Sequence, residues 1–353
     1  MSFRGEEQAS QCRSQTRRLP EPPSALVILL LAASPLAGAA EPPETLALGA
    51  SCVDAGCHAE LGALASPHWE ALSSECARCH ISEGDAHAFE LEEGPELCLE
   101  CHDPMTDGAV VHEPAEDDCL DCHDPHGSPV GALLTEDSEL DLCLGCHDEE
   151  LIVGRHRHEP VANGECSACH DPHSSDNERL LLEEGSELCA LCHEEITEAV
   201  ASLPYVHDPV EEGCTECHTP HSGPFARLLE GPFPRRFYVR FSPERYGLCF
   251  DCHDEELATL ERTRTATEFR DGALNLHFVH VNHRKRGRSC RACHDVHASA
   301  RSHQLREWVP YGSWKLPIRF RERPAGGSCR PGCHEPQRYS RTDHDRVVSE
   351  ARK

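Results

Sequence analysis

The sequence predicts a mostly irregular chain with short α-helices and little β structure, packed around covalently attached groups rather than around its own side chains. Three observations predict it. Of 353 residues, 23 are Cys and 26 are His, whereas aromatics make up 5% and Met numbers 2, a poor inventory for a side-chain core of this length. All cysteines but Cys12 fall in closely spaced pairs whose second member is followed directly by His. Proline repeatedly follows such a pair, as in Asp124-Pro125, Asp171-Pro172 and Thr219-Pro220, where it ends or bends a helix.

Taken in chain order, residues 1–40 read as an export signal. Arg17 and Arg18 precede the apolar run Ala25–Ala33, and the small residues Ala37, Gly38, Ala39 and Ala40 follow. The run is too short to span a bilayer. Cys12 lies inside this segment and would leave with it. Arg17-Arg18 is a weak sign of a twin-Arg signal, since two basic residues also make an ordinary basic leader.

The other 22 cysteines form eleven motifs. Nine are Cys-x-x-Cys-His: Cys76, Cys79 and His80; Cys98, Cys101 and His102; Cys119, Cys122 and His123; Cys143, Cys146 and His147; Cys166, Cys169 and His170; Cys189, Cys192 and His193; Cys214, Cys217 and His218; Cys249, Cys252 and His253; Cys290, Cys293 and His294. Two are stretched, with four residues inside Cys52, Cys57 and His58 and three inside Cys329, Cys333 and His334.

Paired cysteines also serve zinc ribbons and secreted disulfide scaffolds, but neither needs His directly after every second Cys. Attachment of haem c does. Two thiols add across the two vinyl groups on one porphyrin edge, two intervening residues let one helical turn span that edge, and the next residue lies under the ring as the proximal iron ligand. On that reading the 22 cysteines are thioether positions for about eleven haems. The proximal ligands are His58, His80, His102, His123, His147, His170, His193, His218, His253, His294 and His334.

The motifs come in pairs. First motifs start at 76, 119, 166, 214 and 290, and the spacing grows toward the C-terminus, while the motif at Cys52 stands alone. Cys119-Leu-Asp-Cys-His123-Asp-Pro-His126 and Leu142-Cys143-Leu-Gly-Cys146-His147 recur as Cys166-Ser-Ala-Cys-His170-Asp-Pro-His173 and Leu188-Cys189-Ala-Leu-Cys192-His193. Over residues 76–253 the chain resembles the doubled Cys-x-x-Cys-His family of multihaem cytochromes, similar in style to periplasmic decahaem cytochromes of electron conduits. The resemblance implies low-spin, bis-His haem and electron transfer, and it thins beyond 253.

Further histidines keep the same period. One stands seven or eight residues before each pair's first motif (His68, His112, His158, His207, His283) and another follows it (His87, His126, His173, His221, His297). These ten are the candidate distal ligands. Five more, His156, His277, His280, His303 and His344, are a reserve from which the unpaired first haem could draw. After export only Met105 remains, so His/Met ligation cannot be general.

Start signals place the second motif of each pair early in a helix: Ser138 and Ser186 as N-caps, and Gly94-Pro95 and Ser242-Pro243 as caps with proline at the first helical position. One helix is expected through 187–203. Only brief pieces such as Phe237–Phe241 suggest strand. The stretch with Trp308, Trp314 and Lys315-Leu316-Pro317 is expected to pack beneath haem edges or, as the alternative, to meet a partner.

The mature array is expected to run continuously over 41–353. Residues 41–233 hold eight motifs with 5 Lys and Arg against 44 Asp and Glu; residues 234–353 hold three motifs with 24 against 15. So acidic a first part repels nucleic acid, and its charge either keeps a haem-rich protein soluble or steers a basic partner. The function expected is electron carriage rather than catalysis, by an exported protein, periplasmic or associated with the outer membrane or cell exterior. It would pass electrons from an inner-membrane or periplasmic redox protein to an outer-membrane or extracellular acceptor, alone or within a porin. A reductase would need one iron without a distal His, at His58 or His334. A filament would need the basic end of one chain to dock on the acidic part of the next.

Overall fold

The computed structural model describes residues 58, 60–61, 64–68, 76–82, 89–90 and 94–342. The export segment 1–40, Cys52, Cys57, His87 and His344 lie outside the described residues. The chain divides into two compact units, one of Met1–Thr106 with His112–Asp148, the other of Asp107–Val111 with Glu149–Lys353. This division falls at 148/149, not at the charge boundary near Pro232.

Short helices, single 3-10 turns and two-residue ladders make up most of the chain. Each first motif of a pair opens on a three-residue 3-10 turn, at Cys76–Arg78, Cys119–Asp121, Cys166–Ala168, Cys214–Glu216 and Cys290–Ala292. The second motifs emerge instead from α-helices: Glu96–Leu99, Glu139–Leu144, Ser186–Ala190 and Gly247–Phe250. Ser138 caps the second of these, accepting a hydrogen bond from the Asp141 N–H. At Ser186 the start shifts by one residue, because Gly185 takes φ +55° and itself serves as N-cap. The helix expected over 187–203 is two, broken at the motif, with Glu194–Ser202 the longer.

A third kind of helix follows the upstream histidines. Glu113–Asp117, Glu159–Asn163 and Asp208–Glu212 start directly after His112, His158 and His207, with proline in the first turn and acidic residues at the positive end of the helix dipole. Two-residue strands run immediately before His68, His112, His158 and His207 and pair antiparallel with strands following the downstream histidines: Ser66–Pro67 with Gly127–Ser128, Val110–Val111 with Ser174–Ser175, His156–Arg157 with Ser222–Gly223, and Tyr205–Val206 with Ala298–Ser299.

Phe237–Phe241 does not form a strand; only Tyr238 bridges Arg288. Strand geometry sends neighbouring side chains to opposite faces, yet the Phe237 and Tyr238 rings both reach Tyr311, with centroids 5.7 and 6.3 Å away. The C-terminal region holds the only four-residue strands among the described residues. Trp308–Tyr311 pairs with Trp314–Pro317 across a turn whose Gly312 takes φ +58°, a conformation open to glycine. Phe320–Arg323, Gly326–Cys329 and Gln337–Ser340 form a three-stranded antiparallel sheet in that order. Trp314 is 70% exposed and Trp308 40% among protein atoms, with Lys315 Nζ 4.2 Å above the Trp308 ring.

Among the described residues every buried hydrophobic side chain lies between Val239 and Ile318, in the second unit. No described helix is long and apolar enough to cross a membrane.

Candidate metal centres

All nine regular motifs close as one helical turn. The histidine N–H donates to the carbonyl of the first cysteine at 2.9–3.1 Å, from His80 to Cys76 through His294 to Cys290. That turn sets both thiols and the imidazole on one short segment. The stretched motif ending at His334 starts instead at the end of a strand, Gly326–Cys329.

The first-motif histidines have a common anchor. His123, His170, His218 and His294 direct Nδ1 to the carbonyls of Ala132, Arg179, Arg227 and His303, nine residues on, at 2.7–2.9 Å. Each acceptor opens a pair of consecutive left-handed residues: Ala132-Leu133, Arg179-Leu180, Arg227-Leu228 and His303-Gln304, all at φ +49° to +66°. Left-handed backbone costs a non-glycine residue about 1–2 kcal/mol. Here it turns the carbonyl toward the ring. With Nδ1 donating, Nε2 carries the lone pair and is the nitrogen left for a metal. The second-motif histidines His102, His147, His193 and His253 are exposed.

Across from these rings stand other imidazoles. Among the described residues the facing pairs are His68 with His102, His80 with His126, His112 with His147, His158 with His193, His170 with His221, His207 with His253, His218 with His297, His277 with His294, and His280 with His334. Their centroids are 5.9–6.4 Å apart and their planes 4–35° from parallel. Two metal–nitrogen bonds of about 2 Å each, with the two ring radii, span about 6 Å. So narrow a range across nine pairs is the separation of two imidazoles on opposite sides of one metal ion. No described cluster of three or more His, Cys, Asp or Glu converges as a single-ion site.

The facing histidines arrive in twos. His68 N–H donates to the His126 carbonyl at 3.3 Å, His158 to His221 at 3.0 Å and His207 to His297 at 3.0 Å, each at the end of a two-residue ladder. One ladder therefore presents the imidazoles for both motifs of a pair: His126 to His80 and His68 to His102, His221 to His170 and His158 to His193, His297 to His218 and His207 to His253. The carboxylates of Asp124 and Asp171 lie 3.3 and 3.7 Å from Nδ1 of His126 and His173. His283, expected in the same role, faces no imidazole among the described residues. It is exposed, and its Nδ1 accepts the N–H groups of Lys285 and Arg286. The rings opposite His294 and His334 are His277 and His280.

Burial favours the neutral form of His80, His221, His277, His280, His294 and His297. His221 is pushed below the usual range by burial and by His170 and His158, and His297 by burial and His218. His277 falls to about 3, through burial and the neighbouring His294, His280 and His303. A neutral imidazole is the form that ligates a metal.

The thiols of successive motifs meet. Cys98 is raised to about 11 by burial and by Cys119, and Cys189 to about 11 by burial and by Cys214. Cys249 and Cys290 share a hydrogen bond that pushes Cys290 well up. No disulfide joins Cys189 to Cys214 or Cys249 to Cys290. Unbridged sulfurs in pairs, each pair closed in one turn by its own His with a second imidazole opposite, fit thioether attachment. Buried Nε of Arg288 and the Tyr246 hydroxyl have no hydrogen-bond partner among protein atoms, as expected where a further polar group completes the site. These residues fit haem c.

The doubled CXXCH motif family matches residues 68–107, 112–151, 158–198 and 207–258. Each match starts on an upstream histidine, His68, His112, His158 or His207, so the family's unit is the ladder histidine followed by two motifs. No curated protein matches the chain. The sequence reading held His277 and His280 only in reserve, for the unpaired first haem, and put His283 in their place. Their spacing of three on a helix was the available signal, masked by the offset that favoured His283.

Proposed function

Taking as premise that the chain is a multihaem c-type cytochrome of the doubled CXXCH motif family, we propose that it carries about eleven covalently bound, mainly bis-His haems. We further propose that it acts as an electron conduit in the periplasm or outer envelope. Bound haem iron supplies a one-electron couple between ferric and ferrous states. The chain's residues do the rest. Cysteine pairs fix each group at one edge, the αL carbonyls hold the first-motif imidazoles in one tautomer, and the ladder histidines close the opposite side.

One observation carries the reading: the facing imidazoles. An iron held by two protein imidazoles passes electrons but has no position for substrate. Close approach of the thiols of successive motifs supports a continuous path, since attached groups sharing those edges lie near one another. With the export segment removed, each haem has roughly 28 residues of cover, too few to insulate it from its neighbours. The acidic stretch 41–233 suits a basic redox donor or acceptor, drawn in by charge.

Intact mass of the exported protein tests the count and the leader together. The expected result is a chain cleaved near Ala40 carrying eleven haems. A chain with none, or one held in the cytoplasm, would end the proposal. Electron paramagnetic resonance of the ferric protein is expected to show low-spin haem throughout. A high-spin signal equal to one haem per chain would turn the reading toward a reductase.

A further inference from the structure

In the repeats, the ladder that presents two imidazoles to a unit is closed by the next unit in sequence. His126 follows the motif at Cys119 yet faces His80, and His297 follows the motif at Cys290 yet faces His218. The last pair of motifs, at Cys290 and Cys329, has no described successor to close such a ladder. In that place stands the helix Leu276–Val281, carrying His277 and His280 three residues apart and therefore on one face. His277 faces His294 at 6.4 Å and His280 faces His334 at 6.3 Å, the separations found in the repeats.

The helix is firmly anchored. Asn275, fully buried, caps it by accepting from the His277 and Phe278 N–H groups, while its own amide donates to the carbonyls of Leu257 and Leu260, both at 2.9 Å. His280 Nδ1 reaches the Leu276 carbonyl at 2.6 Å and His277 Nδ1 lies 3.0 Å from Thr267 Oγ1, so in both rings Nε2 is the nitrogen turned to use. The Phe269 ring stands against both imidazoles, at 5.2 and 5.8 Å.

We propose that His277 and His280 are the distal ligands of the last two haems, and that this single helix terminates the array by doing the work of a further unit. The proposal rests on the haem reading above but on nothing concerning location or redox partners. It removes the opening at His334 that a reductase would use.

The test is spectroscopic, on the full haem-loaded chain. In His277→Ala and in His280→Ala, one haem per chain should turn high-spin in ferric electron paramagnetic resonance, with the haem count by intact mass unchanged. Added imidazole should restore the low-spin signal. His283→Ala should leave the spectrum as it was. Fully low-spin spectra from both helix variants at full haem count, or a high-spin haem in His283→Ala, would overturn the proposal. Should the alanine variants lose haem or aggregate, His277→Met supplies the answer: it fills similar volume and should add a thioether-to-iron charge-transfer band, whose absence counts against the assignment. A failed conduit reading would appear in cell fractionation and partner exchange and would leave these spectra unchanged.

Discussion

The acidic repeats and the C-terminal region solve the same problem with different materials. Between residues 112 and 230 no described hydrophobic side chain is buried, and histidine ladders two residues long join one unit to the next. Between 239 and 318 eight hydrophobic residues are buried, Tyr246 completely, and a capped helix presents the imidazoles that a ladder presents elsewhere. The difference teaches that the repeats borrow their interior from what is attached to them, whereas the C-terminal region owns part of its interior. Among the described residues, four-residue strands and edge-to-face ring contacts appear only where side chains have each other to pack against.

The sharpest way to break this contrast is to withhold haem. Expressed without attachment, the chain should show hydrogen exchange near the unfolded rate across 112–230 and measurable protection across 239–341; equal protection in both would erase the distinction. Next in size is Tyr246→Ala, which empties a site bounded by Phe233, Phe241 and Phe250 and should cost about 3–5 kcal/mol in denaturant unfolding of the loaded protein. Tyr246→Phe in the loaded protein should cost about 1 kcal/mol, because the attached group completes the hydroxyl's hydrogen bonding; no loss would show that the hydroxyl has no such partner.

Helix caps compare the regions at smaller scale. Asn275→Ala removes the hydrogen bonds to the Leu257 and Leu260 carbonyls and uncaps the helix, for about 2–3 kcal/mol. Ser138→Ala in a repeat removes one cap bond at the surface, for about 1 kcal/mol. Similar losses would mean that the two helices are equally coupled to the rest. Smallest is Arg179→Gly or Arg227→Gly, which relieves a left-handed residue and should raise stability by several tenths to about 1 kcal/mol. A loss would show that the arginine side chain matters more than its backbone.

What the sequence made legible was local. A motif that closes within five residues depends on nothing distant, and Ser138 caps its helix through a bond to a residue three positions on. The proline that cuts the first motifs short acts on its own neighbours. Pairing is tertiary, and there the same reading faltered. His283 sits at the expected distance before Cys290, but Lys285 and Arg286 claim its ring while the longer linker folds back as a helix with His277 and His280 on one face. The helices after His112, His158 and His207 announced themselves by proline in the first turn, a signal overshadowed by the search for cysteine. The C-terminal strands had little alternation to betray them.

The left-handed turns have a consequence for how such an array can change over time. Their acceptor is a peptide carbonyl, which every residue possesses. Ala132, Arg179, Arg227 and His303 therefore hold four rings identically with four unrelated side chains. Sequence at those positions is released to vary with the local surface, small in one copy, cationic in two, aromatic in another. Copies of the unit can drift apart in outward chemistry without disturbing the ring that each one steers.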